Sequence, residues 1–398
     1  MASLRVAMVA GESSGDALGA ALIQALRERV PHCRVTGVAG PQMRLAGCAP
    51  LADAHELEVM GLFEVLPRLP RLLRLRSRLV REIAAFEPHV FIGVDYQQFN
   101  LGLARRLKAR GLTTVQYVSP QVWAWRQGRV RTIGRAFDLV LCLLPFEPPF
   151  YRDHAVGAQF VGHPLADQIP MQGDRAGART ALDLDASSPV LALLPGSRVN
   201  EVRRLAPAFI RAAALLSARR PLLQVIAPMA GPAARDEFER ALPASATGLR
   251  VRILDSQARV ALTAADVALV ASGTATLEAL LCRCPMVVGY RFSAVTALLV
   301  RALDLVQVPY FSLPNLLADE ALAPEFLQEG VQPEPMARAL EQLLDDAARR
   351  RYLQGRFDAI HQSLRQDGAA LAASAVLQLL RERTGRDWGI EHADRGSR

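Results

Sequence analysis

Two short loops carry residue types that suit a bound nucleotide. Ser272-Gly273-Thr274-Ala275 follows the apolar run Val267 to Val270 and precedes Glu278 by one helical turn. A strand, a tight loop and a helix N-terminus at this point would gather unpaired backbone N–H groups and the positive end of a helix dipole, which favour phosphate, while Glu278 could accept from a ribose diol. Pro195-Gly196-Ser197-Arg198 follows Val190 to Leu194 in the same way and adds a guanidinium able to neutralise a diphosphate. Together the loops suggest a nucleotide-sugar site; either alone would also pass for an ordinary strand-to-helix connection.

Two further loops could hold the other reactant. Gly11-Glu12-Ser13-Ser14-Gly15-Asp16 follows the apolar segment Leu4 to Ala10, with glycines that admit close approach of the backbone and acids that could bind sugar hydroxyls or cap a helix. It lacks the three-glycine dinucleotide spacing, which disfavours a hydride-transfer enzyme. Asp95 ends the run Val90 to Val94 and is the first choice of general base, with a helix cap near Asn100 as its bland alternative. Trp123 and Trp125, after the run Thr114 to Val118, could contact a sugar face or an acyl chain, or could close a core. No His, Asp or Glu cluster has metal-ligand spacing, so neither a metal nor another cofactor is expected, and arginine and helix ends must counter the diphosphate.

The elements that would position these loops repeat along the chain. Short runs rich in valine and leucine alternate with helical stretches: Arg5 to Ala10, Arg34 to Val38, Val90 to Val94, Thr114 to Val118 and Leu139 to Leu143, then Val190 to Leu194, Leu222 to Ala227, Arg250 to Leu254, Val267 to Val270 and Pro285 to Gly289. Consecutive apolar residues of this kind predict parallel strands buried on both faces. The fold class is therefore α/β, with two doubly wound Rossmann-like domains whose ligands sit at the carboxyl ends of the strands. The boundaries expected are residues 1–165, 166–345 and a helical region 346–398, with a hinge and linker formed by Phe160-Val161-Gly162-His163-Pro164 and the polar stretch to Ser188, and a charged tail from Arg381 that frays.

At 398 residues the chain is long enough for two domains. Five scattered cysteines read as buried, reduced thiols, and the apolar start leads straight into the first glycine loop without the basic lead of a secretion signal, from which a cytoplasmic location is expected. The formal net charge of +8 comes from 47 basic and 39 acidic residues and favours anionic partners. Its densest part interleaves Arg68, Arg71 and Arg74 with Leu62, Phe63, Leu66, Leu69, Leu72 and Leu73. Leucine in place of stacking aromatics argues against nucleic acid and leaves two readings, an amphipathic element in a lipid interface or a surface helix with its leucines on the core.

In order along residues 4 to 380, Gly11 through Asp16, Gly40-Pro41-Gln42-Met43, Tyr117 through Arg126, Phe160 through His163, Leu193 through Arg198, Ala271 through Glu278, Pro285 through Arg291 and Ser312 through Leu317 resemble the lipid-A-disaccharide synthase family. The resemblance implies a GT-B-type glycosyltransferase, with two Rossmann-like domains facing a cleft and the last helices returning to the first. It implies inverting transfer of 2,3-diacylglucosamine from UDP-2,3-diacylglucosamine to the 6-hydroxyl of 2,3-diacylglucosamine 1-phosphate (lipid X). It also implies UDP contacts at Ser197, Arg198, Glu201, Ser272, Gly273, Thr274, Glu278, Arg291 and Asn315, with Asp95 and Arg198 catalytic. Gly11, Glu12, Ser14, Gly15, Asp16, Trp123 and Trp125 would lie on the acceptor side. Acylated substrates favour the lipid reading of the leucine and arginine segment, at the inner leaflet of the cytoplasmic membrane; a homodimer stays open. Members often carry a second acid three residues after the aspartate, where this chain has Gln98. The rivals are a nucleotide-sugar epimerase of the same fold and a UDP-sugar-binding protein without catalysis.

Overall fold

A computed structural model describes residues 3–57, 62–124, 127–245, 248–292 and 309–388. The chain divides into two compact units, Met1–Pro164 with Leu364–Arg398, and Leu165–Ser363.

The first unit is built on a seven-stranded parallel sheet of β1 (Arg5–Ala10), β2 (Arg34–Ala39), β3 (Cys48–Asp53), β4 (Val90–Val94), β5 (Thr113–Tyr117), β6 (Leu139–Cys142) and β7 (Ala158–Phe160), in the order β3-β2-β1-β4-β5-β6-β7. Successive strands are added in one direction from β1 to β3 and in the other from β4 onward, so the order switches between the parallel neighbours β1 and β4, where Ala10 pairs with Val94. That register sets the Gly11 loop beside Asp95, at the topological switch point where ligands bind such sheets. Two apolar layers cover the sheet, one including Val6, Met8, Ile92 and Val115, the other Ala7, Val9, Phe91 and Val140.

The second unit repeats the plan with six parallel strands: β8 (Val190–Leu194), β9 (Gln224–Met229), β10 (Val251–Asp255), β11 (Val267–Ala271), β12 (Met286–Tyr290) and β13 (Glu325–Leu327), in the order β10-β9-β8-β11-β12-β13. Here Leu194 pairs with Val270, so the Pro195 and Ser272 loops flank this sheet's switch point.

Three expectations change. The stretch from Phe160 to Ser188 is not a plain linker: helix Arg175–Ala181 lies in it, and buried Arg179 bonds the Ala264 and Ala186 carbonyls and Asp266, tying it into the second unit. The return to the first unit occurs at Leu364 and not at residue 346. Helix Ala347–Leu364 stays with the second unit through Arg283–Asp358 at 2.8 Å and Arg356–Glu320 at 3.2 Å, while Gly368–Thr384 adds Val376, Leu377 and Leu380 to the first unit's core. The tail is ordered as far as Trp388, which is buried against His89 with ring centroids 4.6 Å apart; residues 389–398 lie outside the described set.

Candidate active site

In the second unit the two predicted loops line one cavity of about 450 Å³, together with Leu194, Glu201, Pro228, Met229, Ala230, Ser256, Ala258 and Glu278. This size accommodates a nucleotide. Helix Val199–Arg219 begins at the first loop and helix Thr274–Leu281 at the second. Both helices therefore turn positive dipole ends toward the loops that line the cavity, although Glu201 takes the Ser197 and Arg198 amides and the Gly289 carbonyl takes that of Ser272. Gly196 (φ +122°) and Gly273 (φ +151°) take backbone conformations open to glycine and costly to other residues, which lets each strand turn abruptly into its helix.

Glu201 organises the first loop and is less a ligand than a brace. Its Oε2 accepts from the Ser197 and Arg198 amides at 3.2 and 3.4 Å, and its Oε1 lies 3.5 Å from the Arg198 guanidinium. The Arg198 side chain is 81% exposed, a cation held loosely at the cavity. The Ser272 hydroxyl donates to the Phe311 carbonyl at 2.7 Å, fixing the second loop, and Thr274 opens its helix. Glu278 lines the same cavity; burial raises its pKa, with Arg259 at 3.8 Å opposing the shift.

Two implied UDP contacts have other work. The Arg291 guanidinium donates to the carbonyls of Gln328, Arg204 and Val331 at 3.2, 3.3 and 2.7 Å, which uses its fork on main chain. Buried Asn315 donates to Ala323 O and Glu325 Oε1 and accepts from Ala323 N, each at 2.8 Å. Glu325 in turn accepts from the Phe311 and Ser312 amides, both at 2.9 Å, so Asn315 supports the turn that Ser272 leans on. Neither residue lines the cavity. Conversely, Pro228, Met229, Ala230 and Ser256 carry no motif in the sequence; Pro228 and Met229 end β9, Ala230 follows it and Ser256 follows β10, so the strand-end rule would have found them.

In the first unit, Asp95 and Tyr96 both have positive φ, +49° and +26°. Asp95 is half-buried, and burial raises the pKa of its carboxyl, while the Tyr96 amide and the Ser14 hydroxyl donate to it and favour the anion. Glu12 is the exposed N-cap position of helix Ser13–Arg29, and buried Gly15 lets that helix approach within 3.5 Å of the Val94 carbonyl at the site of an absent Cβ. Gly11 precedes this N-cap, and Ser14 lies in the first turn of the helix.

Asp16 is not a sugar ligand. It is buried, and its carboxylate accepts from the Gly40, Gln42 and Met43 amides at 2.9, 2.8 and 3.1 Å, capping the next helix, Pro41–Leu45. Trp123 belongs to the core: its Nε1–H donates to Glu147 at 3.0 Å and its ring meets Phe146 edge-on. Burial pushes the Glu147 carboxyl up to about 7 despite bonds from Leu144, Ser119 and Trp123. His163 is likewise buried at its turn, and Trp125 lies outside the described residues.

Helix Leu62–Phe86 carries the basic segment. Leu75, Leu79, Val80 and Ile83 are buried in the first unit's core, and Leu72 packs against it half-buried, which removes Leu72 from the lipid-facing set. Leu73 is 41% exposed, between exposed Arg71 and Arg74. The side chains of Leu62, Phe63, Leu66, Arg68 and Leu69 lie outside the described set. No helix among the described residues is long and apolar enough to cross a membrane. Among those residues no group of three or more His, Cys, Asp or Glu is placed to hold a metal ion.

Two parallel sheets with paired loops at their switch points have close relatives in shape. A UDP-GlcNAc 2-epimerase from Neisseria meningitidis, solved with UDP-GlcNAc bound, superposes with a TM-score of 0.62 over 95% of this chain and 100% of its own, at 12% identity. CalG4, the calicheamicin glycosyltransferase, does so with a TM-score of 0.57 over 97% of this chain and 100% of its own, at 17% identity. The fold is thus GT-B, and the protein is a glycosyltransferase on its sequence relatives. The family model described as Lipid-A-disaccharide synthetase matches residues 6–379, and the lipid-A-disaccharide synthase of Xanthomonas campestris pv. campestris (strain 8004) is 50% identical over 397 residues, spanning 100% of this chain and 90% of its own. This chain belongs to the lipid-A-disaccharide synthase family. The epimerase alternative has only a likeness of fold behind it.

Proposed function

We propose that the enzyme transfers 2,3-diacylglucosamine from UDP-2,3-diacylglucosamine to the 6-hydroxyl of lipid X, giving the β-1,6-linked disaccharide 1-phosphate and UDP. The observation that carries the donor assignment is the cavity that unites Arg198, two helix N-termini and Glu278. Arg198 and the amides at Gly273 and Thr274 suit the diphosphate, the Ser272 amide being bonded to the Gly289 carbonyl at 3.2 Å, and Glu278 suits the ribose diol. The bond from the acceptor O6 to the anomeric carbon forms as the bond from that carbon to the diphosphate oxygen breaks, and the electron pair leaves with UDP. Asp95 takes the O6 proton, while Arg198 and the helix ends stabilise charge growing on the leaving group. Incubation with radiolabelled donor and lipid X should release UDP and labelled disaccharide only when both are present; an epimer formed from donor alone would overturn the reading.

The acceptor side is proposed to work against the inner leaflet of the cytoplasmic membrane, on the exposed edge of helix Leu62–Phe86. Exposed Leu73 between Arg71 and Arg74 supports this, because an apolar side chain flanked by cations suits an anionic lipid surface. Leu73→Ser should lower binding to anionic liposomes several-fold while changing stability by no more than about 0.5 kcal/mol, as for other surface positions. Co-sedimentation with vesicles and thermal melting check it; a large fall in melting temperature with unchanged vesicle binding would show a core residue instead.

A further inference from the structure

Two buried carboxamides flank the backbone of Asp95. Asn100, on helix Gln97–Lys108, is fully buried, and its Nδ2 lies 3.4, 3.3 and 3.1 Å from the carbonyls of Val9, Val94 and Asp95. Gln116, on the neighbouring strand β5, is 1% exposed, and its Nε2 lies 2.9, 3.3 and 3.3 Å from the carbonyls of Asp95, Tyr117 and Val118. The Asp95 carbonyl is the one acceptor both share. Around it the chain is left-handed at Asp95 and Tyr96, and again at Val118, with φ +78° at a β-branched residue. Such conformations persist only where surrounding structure holds them.

The arrangement is costly in two other ways. The Asn100 Oδ1 and Gln116 Oε1 atoms are buried with no hydrogen-bond partner among the described residues. Gly93 must also stay bare: a Cβ there would stand 2.8 Å from Asn100 Cβ and 3.0 Å from Gln116 Oε1. A core selected for stability alone would fill this space with hydrocarbon, since unpaired buried carbonyls are destabilising. A neutral amide nitrogen is the side-chain group that can offer two N–H donors to several carbonyls without burying a charge.

We infer that Asn100 and Gln116 are positioning residues for the transfer reaction: they converge on the Asp95 carbonyl, hold Asp95 and Tyr96 in left-handed backbone, and thereby fix where the Asp95 carboxylate stands. The inference rests on Asp95 being the base. Neither amide touches the reacting atoms, so each acts only through Asp95.

A double-mutant cycle tests it. Gln116→Met keeps the shape and removes both donors. In the otherwise unchanged enzyme it should lower kcat by about tenfold or more, with donor and acceptor KM within about twofold and UDP affinity by calorimetry unaltered. In an Asp95→Asn background it should cause no further loss, because the base it positions has already gone. An equal loss in both backgrounds would overturn the inference and leave Asp95 in its role. Near-normal turnover of Asp95→Asn by itself would remove the base, and this inference with it. Asn100→Ser attacks the same carbonyl from the helix side with the same expectations, and keeps the test decisive if Gln116→Met does not fold.

Discussion

Asp95→Asn should cut kcat by at least about a hundredfold, the usual scale of a lost general base, while UDP binds as before. The substitution is mild in every other respect. The remaining carboxamide oxygen can still accept from the Tyr96 amide and the Ser14 hydroxyl, so the loop has no reason to move. The donor cavity is built wholly within the second unit, so calorimetric UDP affinity should match the parent. A pH signature accompanies the loss. Burial raises the Asp95 pKa, and a base works only as the anion, so kcat/KM should fall as pH drops through that raised value. In Asp95→Asn this acidic limb should vanish, because no proton is taken up there. Parent-like turnover, or an unchanged limb, would move the role elsewhere. Gln98 is exposed and uncharged, so it could not inherit the proton.

The strands with apolar residues on successive positions were legible because both faces are buried, as in VFIGV of β4 and VALVA of β11. The three strands that went unseen are edge strands. Cys48–Asp53 buries only Cys48 and Ala52 and carries a proline, and Ala158–Phe160 and Glu325–Leu327 are three residues long and half-buried throughout, so none shows the valine and leucine run of a strand covered on both faces. The two loops that line the second unit's cavity were legible as a pair because each follows a buried run, although either alone reads equally as an ordinary strand-to-helix connection. What local reading could not settle was which partner a polar side chain finds. Asp16 reads as an acid in a ligand loop, yet its oxygens are taken by the Gly40, Gln42 and Met43 amides, brought close only when β1 and β2 pair. Arg291 and Asn315 are spent on carbonyls dozens of residues away or across a turn. Gln116 gave no signal, and Asn100 only that of a helix start that the structure puts at Gln97, because a buried amide acquires meaning only from the carbonyls around it.

Arg198 differs from those residues in having little structural work, and that makes its removal a clean probe of charge stabilisation. Its side chain is largely exposed and meets half-buried Glu201 at 3.5 Å, a long contact to a solvated guanidinium of the kind that adds little to stability. The loop would survive without it, since Glu201 still braces the Ser197 and residue-198 amides. Arg198→Ala should therefore melt with the parent yet lose about 10²–10³ in kcat/KM for the donor, the scale of removing one preorganised donor from a developing anion. UDP affinity should weaken less than turnover, because the diphosphate gains charge as it departs and the guanidinium is worth most at that moment. Arg198→Lys should recover part of the loss and not all of it: the ammonium restores the charge but cannot place two parallel N–H groups on phosphate oxygens. Full recovery by lysine would reduce the requirement to charge alone. Turnover close to the parent in Arg198→Ala would leave the two helix N-termini, with their first-turn amides, as the leaving-group site.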